Sequence, residues 1–398
     1  MPRPLLGAVT VTAAALAAAA LAIPAAASAA APAAHSSQRT CAVSVKPGFA
    51  TCFARVVTVH GAPLQGMAGS VRPNATPSGY GPSDIRSAYN LGSSSSGGRT
   101  VAIVDAYNDP TAASDLNVYR SQYGLPSCTT SNGCFRKVSQ TGSTTSLPST
   151  DAGWATEESL DLDMVSAACP DCHILLVEAK SSSFSNLGTA ENYAASQSGV
   201  VAISNSYGGS DSSETSQYNH PGIAITASTG DNGYGVESPA SFPDVVAVGG
   251  TSLTRASNSR GWSESAWSGA GSGCSSYNAK PSWQTSATQC SHKANADVSA
   301  VADPNTGVAV YDSTPYEGYS GWQVYGGTSA ASPIIASVYT MGGNLSGYPA
   351  SYTWAHASSL NDVTSGSNGS CSTTVWCHAT TGWDGPTGLG TPNGTAAF

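Results

Sequence analysis

The chain is 398 residues long, with 24 acidic against 15 basic residues, a formal net charge of −9 and only 10% of its residues charged, where roughly 25% is usual in soluble domains. So acidic a balance disfavours nucleic acid as a partner, and 43 Gly and 23 Pro in a chain 40% apolar exclude a coiled coil or a long disordered polymer. One domain of ordinary enzyme size is expected.

Arg3, an apolar run over residues 5–23 and the small residues Ala27-Ser28-Ala29 predict a secretory signal peptide over 1–31. Thr10, Thr12, Pro24 and the dominance of Ala over Leu argue against a transmembrane anchor. No later segment is apolar enough to span a bilayer. Residues 32–78 lack clear periodicity and are expected to be an N-terminal extension or short pro-segment with at most a short hairpin. The main domain is expected over 79–398.

Ten cysteines fall into near neighbours: Cys41 and Cys52, Cys128 and Cys134, Cys169 and Cys172, Cys274 and Cys290, Cys371 and Cys377. Five local disulfides and an oxidising compartment are the natural expectation. Cys169-Pro170-Asp171-Cys172 also fits a redox pair or half of a zinc site, although no second CxxC or HxxxH follows.

Short β-branched runs at 100–106, 174–179, 200–207, 222–228 and 245–248 predict buried strands, and 155–168 and 185–196 carry helical spacing. This alternation predicts a doubly wound α/β fold, a mostly parallel sheet with helices on both faces. Its ligand site should lie beyond the carboxyl ends of the strands.

Three segments carry chemistry. In Gly326-Gly327-Thr328-Ser329-Ala330-Ala331-Ser332-Pro333 a serine sits where a glycine-rich turn enters an apolar helix, so a substrate backbone can approach it and the helix amino end favours a developing oxyanion. A capped buried helix explains the same residues. In Trp154-Ala155-Thr156-Glu157-Glu158-Ser159-Leu160-Asp161 two carboxylates four apart share a helix face and a proton, leaving one as a base; a solvated acidic face is the alternative. Glu158 and Asp163 lie off that pair. In Ala227-Ser228-Thr229-Gly230-Asp231-Asn232-Gly233 an acidic turn follows a strand, a structural Asp-Asn-Gly turn being the alternative.

The Ser329 segment resembles the GTSxxxP nucleophile motif shared by subtilisins and sedolisins, the serine-carboxyl peptidases. Asp105, in Val101-Ala102-Ile103-Val104-Asp105, looks like a subtilisin's first catalytic residue. No His-Gly-Thr turn follows it, and none of His35, His60, His173, His220, His292, His356 and His378 has the context of a base. Glu157 and Asp161 are instead similar to the sedolisin ExxxD motif, and Asp231 to the family's Ser-x-Gly-Asp turn.

By this resemblance Glu157 is the base for Ser329, Asp161 orients Glu157 and relays its proton, and Asp231, when protonated, lines the oxyanion hole. An acid working range follows. The family also places one structural Ca2+ near the C-terminus. The matching positions are the side chains of Asp362 and Asp384 and the carbonyls of Val363, Thr380 and Gly382, hard oxygen ligands of the type calcium takes; Thr380 stands where the family usually has Gly.

The expectation is a secreted, monomeric serine endopeptidase acting on protein or peptide substrates, with no nucleic-acid or membrane partner once the signal is removed. Sedolisins commonly carry a long propeptide, whereas only 32–78 stand here. That departure keeps open a non-catalytic secreted binding protein on a peptidase fold, and Asp105 keeps open a histidine-dependent subtilisin.

Overall fold

The computed structural model describes residues 35–398 except 45, 60 and 65–76, together with residues 1, 2, 4 and 7. But for those four residues, the expected signal peptide therefore lies outside the described residues. Among them no helix is long and apolar enough to cross a membrane.

The β-branched runs assemble into an eight-stranded sheet. Its order is Trp262–Ala266, Val246–Arg255, Ala224–Ser228, Val200–Asn205, Thr100–Ala106, His173–Ala179 and Phe135–Ser139, with Val298–Val301 also paired to Val246–Arg255. All these pairings are parallel except that of Trp262–Ala266. This is the doubly wound, subtilisin-like α/β architecture.

Alternation along each strand sends side chains to opposite layers. Val101, Ile103, Ile174 and Leu176 join one core with Leu160 and Val165 of the helix Ala152–Ala168 and Ile334 and Val338 of the helix Thr328–Gly342. Ala102, Val104, Leu175 and Val177 join a second core with Leu187, Ala190 and Ala194 of the helix Phe184–Ala195. A sheet covered on both faces is why its strands read as continuous apolar runs.

Several bounds differ from expectation. The first helix starts at Ala152 because Asp151 caps it, accepting from the Gly153 and Trp154 amides at 3.0 and 3.1 Å. The run 200–207 divides into Val200–Asn205 and a separate strand, Tyr207–Ser210. All five neighbouring cysteine pairs are disulfides, the CxxC pair Cys169–Cys172 included.

Residues 35–64, expected ahead of the main domain, are woven into it. Arg55–Val59 lies between His35–Arg39 and Tyr319–Gly326 in a second sheet completed by Val308–Tyr316 and Ala62–Pro63. The physical reason is a β-branched strand, Val56-Val57-Thr58, that buries both faces once it pairs with the hairpin edge.

Candidate active site

The hairpin strand Tyr319–Gly326 delivers Gly327, whose φ of 99° suits only glycine, to the start of Thr328–Gly342. Any Cβ there would also collide with the Phe53 carbonyl oxygen and come within 2.8 Å of Asp231 Oδ2. Ser329 follows in the first helical turn, fully buried. Pro333 has no N–H to give the Ser329 carbonyl, and Ser206 Oγ comes to 3.4 Å of that oxygen instead. The Ser329 hydroxyl donates to the Ser206 carbonyl at 3.3 Å.

The helix Ala152–Ala168 carries four acidic residues after its cap, all buried. They face three ways. Glu157 and Asp161 point to the Ser329 side: Glu157 Oε2 accepts from the Ala54 amide at 2.6 Å, and Asp161 Oδ1 accepts from Ser206 Oγ at 2.8 Å. Glu158 lies among Glu178, Asp109, Asp105 and Lys137. Asp163 accepts from the Tyr311 amide at 2.9 Å near Arg120. The four-residue spacing thus separates the pair from its neighbours as helical geometry requires.

Burial pushes the Glu157 carboxyl up to about 8, with the Asp231 charge adding to the rise; the Ser329 hydroxyl and the Ala54 and Phe53 amides pull it partly back. Its Oε1 is buried without a well-aligned hydrogen bond, because the Ser329 hydroxyl that acts on this carboxyl is turned toward Ser206. Asp161 is held well above the usual carboxylate range by burial and by the Asp105 and Glu157 charges, and its Oδ2 is likewise unpartnered.

Asp231 follows the strand Ala224–Ser228 through Gly230, which has φ 107°. Its Oδ1 accepts from the Thr328 amide and hydroxyl at 2.8 and 2.9 Å. Its Oδ2 is buried, unpartnered and directed at Gly327. Burial raises its pKa against the opposing pull of Arg39, Thr328 and Arg55, so Oδ2 is suited to carry a proton. Ser329, Glu157, Asp161 and Asp231 therefore meet at the carboxyl ends of the central strands.

Two further residues belong to this cluster. Ser206, immediately after Val200–Asn205, links Asp161 to Ser329. Asp105, near the end of Thr100–Ala106, is fully buried with both oxygens unpartnered and its pKa raised by burial and by Glu157 and Glu178. It bonds no histidine among the described residues. The signal that points to both is position, a polar residue at the carboxyl end of a buried parallel strand.

The C-terminal loops bring the other acidic pair together. Asp362 Oδ2 accepts from the Gly382 amide at 2.9 Å. Asp384 accepts from the Thr380 amide at 3.0 Å and from the Thr387 amide and hydroxyl, each at 2.9 Å. Burial, with the Asp362 charge, pushes Asp384 up to about 7. No group of three or more His, Cys, Asp or Glu side chains among the described residues is arranged to hold a metal, so a cation here would rely on carbonyls as well. The donor chemistry fits: a buried carboxylate beside a like charge, and carbonyls of Val363, Thr380 and Gly382 that no donor engages among the described residues.

Residues 149–370 match the model of the Subtilase family. The chain is 28% identical over 365 residues to sedolisin of Pseudomonas sp. (strain 101), covering 79% of this chain and 60% of that protein. It is 28% identical over 367 residues to kumamolisin of Bacillus sp. (strain MN-32), covering 81% and 63%. The chain thus spans about three fifths of the length of these curated relatives. Among solved structures, Pseudomonas sedolisin, a serine-carboxyl proteinase complexed with two molecules of pseudo-iodotyrostatin, aligns with a TM-score of 0.67 at 28% identity, covering 80% of this chain and 96% of that one.

Proposed function

The chain is a sedolisin-like member of the subtilase family, and from that premise we propose that it is a secreted serine-carboxyl endopeptidase working in acid. The observation that carries this reading is the convergence of a helix-entry serine, an unpartnered Glu157 Oε1 and an unpartnered Asp231 Oδ2 on one buried point.

In this mechanism Ser329 Oγ attacks a peptide carbonyl while Glu157 takes its proton. Asp161 and Asp105 lie behind Glu157, so a proton gained there is shared within a cluster that cannot hold a full set of like charges. Ser206 keeps Asp161 oriented. Asp231 donates from Oδ2 to the tetrahedral oxyanion only when protonated, which ties turnover to acid, and the amino end of the Ser329 helix adds its dipole. Glu157 then passes the proton to the leaving amine, and water hydrolyses the acyl-enzyme.

Asp362, Asp384 and the carbonyls of Val363, Thr380 and Gly382 would hold one Ca2+, which supplies charge balance and cross-links the loops rather than chemistry. Five disulfides agree with an extracellular protein. The substrate is unfolded or flexible protein, and the working form a monomer.

The test is hydrolysis of a denatured protein from about pH 3 to about pH 8 with calcium present, beside Ser329→Ala. Acid-limited activity lost in the variant is expected. A folded chain with no Ser329-dependent cleavage at any pH would move the assignment to a binding protein.

A further inference from the structure

One buried carboxyl on the far face of the sheet takes no part in the mechanism above. Glu191 shares the buried stripe of the helix Phe184–Ala195 with Leu187, Ala190 and Ala194, which face the second core. It is fully buried, neither of its oxygens has an aligned hydrogen-bond partner, and no Lys, Arg or His among the described residues pairs with it. Ionising a carboxyl in such a place is costly, so it keeps its proton. Burial holds its pKa well above the usual range, and the Asn205 amide pulls the other way. A leucine would fill the same space without desolvating a polar group, so the acid has to be explained by what it touches.

Three polar side chains from other elements face it: Asn205, Tyr207 and Tyr218. Beyond them the Asp105 carboxyl is felt at Tyr207. Gly188, one turn before Glu191, makes room for Tyr218, since a Cβ there would stand 3.0 Å from Gln217 Cβ and push the turn Ser216–Tyr218 off the helix. Asn205 Nδ2 donates to the Thr226 carbonyl at 3.2 Å, Asn205 Oδ1 accepts from the Tyr207 hydroxyl at 2.6 Å, and the Tyr207 and Tyr218 hydroxyls are 3.1 Å apart. Nδ2 carries a second hydrogen, and the Glu191 carboxyl is the acceptor beside it. Turned over, the amide would set Oδ1 against the Thr226 carbonyl, two acceptors face to face.

Asn205 stands where the sheet divides. Val200–Asn205 runs parallel with Ala224–Ser228 as far as the pair Asn205 and Ala227; beyond it Ser206 leaves the ladder, and Tyr207–Ser210 pairs with Glu237–Ser238 instead. The other branch runs on to Asp231. The Asn205 amide ties the two branches, bound to Thr226 on one and to Tyr207 on the other, and the first residue past the fork is Ser206, which bonds Asp161 and Ser329. The Tyr207 ring also lies 6.2 Å, centre to centre, from that of Trp154, three residues ahead of Glu157 on the acidic helix. The brace therefore touches the segments that carry Ser206, Asp231 and Glu157.

We propose that Glu191 is a positioning residue of this site: its carboxyl holds the Asn205 amide in one orientation, the amide sets the width of the fork, and the fork places Ser206 against Asp161 and Ser329. The proposal rests on the peptidase reading above and adds to it a residue that meets none of the reacting atoms. Misplacing reacting groups by about 1 Å costs on the order of 100-fold in rate. A loosened fork therefore lowers kcat in molecules that are otherwise folded.

The full chain and its variants are compared by steady-state hydrolysis of a dye-labelled denatured protein across acid pH, with an unfolding scan on each. Glu191→Leu fills the space and removes the acceptor, so kcat should fall about 10- to 100-fold while Tm holds or rises. Glu191→Gln puts an acceptor back beside the amide and should rescue kcat, with the pH–rate profile of wild type, because an amide and a protonated acid carry the same charge. Asn205→Ala should lose as much as Glu191→Leu, and combining the two should cost nothing further, as for residues that act through one contact. A folded Glu191→Leu with wild-type kcat, an additive loss in the double variant, or a shifted pH profile in Glu191→Gln overturns the proposal alone. So does failure of both Glu191→Leu and Asn205→Ala to fold, which would make the brace a structural one. A folded wild-type chain whose cleavage is absent, or unaffected by Ser329→Ala, overturns the peptidase reading itself.

Discussion

Two acidic pairs in this molecule meet the same difficulty by different means. Glu157 and Asp161 are one helical turn apart and wholly buried, with an unpartnered oxygen on each and their pKa values raised. Asp362 and Asp384 come from separate loops, and their oxygens take amide and hydroxyl donors from Thr380, Gly382 and Thr387. The first pair stays close by holding protons. In the proposed calcium site the second would be neutralised by the cation. Like charges in low dielectric need one solution or the other, and which is used decides whether a site moves protons or braces loops.

The sharpest break between the two is Glu157→Gln against Asp384→Asn. Removing the proposed base should lower kcat about 10³-fold or more with the fold intact, since glutamine can still accept from the Ala54 amide. The Asp384 change should reduce thermal stability while leaving the per-molecule turnover of folded protein near normal. Steady-state kinetics with an unfolding scan on both variants checks this; equal loss of kcat in both would erase the distinction.

Asp231 tests whether the proton-holding side extends beyond the pair. Asp231→Ala removes the proposed oxyanion donor and should cost on the order of 10²- to 10³-fold in kcat. Asp231→Asn keeps a donor that needs no acid. It should lose less and retain activity toward neutral pH, so the pH–rate profile of the two variants separates donation from bulk.

How stability responds to pH follows from the same cluster. Asp312, which accepts from Thr156 on the acidic helix and faces Asp109 and Asp115, and Glu237, which faces Asn232, Arg39 and Asp231, are both pushed up to about 7 by burial. A carboxyl raised in the fold binds its proton more tightly than the unfolded chain does. Its contribution is therefore complete below the unfolded value near 4 and is lost as pH rises toward 7. As upper figures these amount to roughly 3 kcal/mol for Glu237 and roughly 4 kcal/mol for Asp312. Chemical denaturation between about pH 4 and about pH 7.5 should show stability falling throughout; a maximum at neutral pH would contradict proton-balanced carboxyls.

Much of this was legible in the chain itself because the responsible forces are local. The strand Thr100–Ala106 appears at its expected bounds since a sheet buried on both faces demands an unbroken apolar run. Glu157, Asp161, Asp231 and Ser329 stood out because each sits in a motif of a few residues. Phe135–Ser139 and Trp262–Ala266, edge strands with charged or polar alternation, gave no such run. The place of residues 51–54 was hidden for a different reason. Their contacts to Glu157, Ser206 and Gly208 are made by their own backbone groups to partners more than a hundred positions away, and an amide carries no sequence signature.

Calcium removal probes the second pair alone. With the ion at a hundredfold excess over its Kd, binding to the folded state would add about 2.7 kcal/mol, and chelation should take that away. The loss should appear as a few degrees in Tm, be reversed by Ca2+, and be absent from Asp384→Asn, whose carboxylate is no longer there to ligate. Chelation should also steepen the fall of stability between about pH 4 and about pH 7, because Asp384, ionised while it ligates the ion, then takes the proton that its pKa of about 7 favours, whereas the contributions of Asp312 and Glu237 stay as they are. A chelator that lowered Tm equally in wild type and Asp384→Asn would place the ion elsewhere. One that altered the pH slope as much in Asp384→Asn as in wild type would mean that the two pairs share a counter-ion after all, and the division of labour between protons and cation would fail.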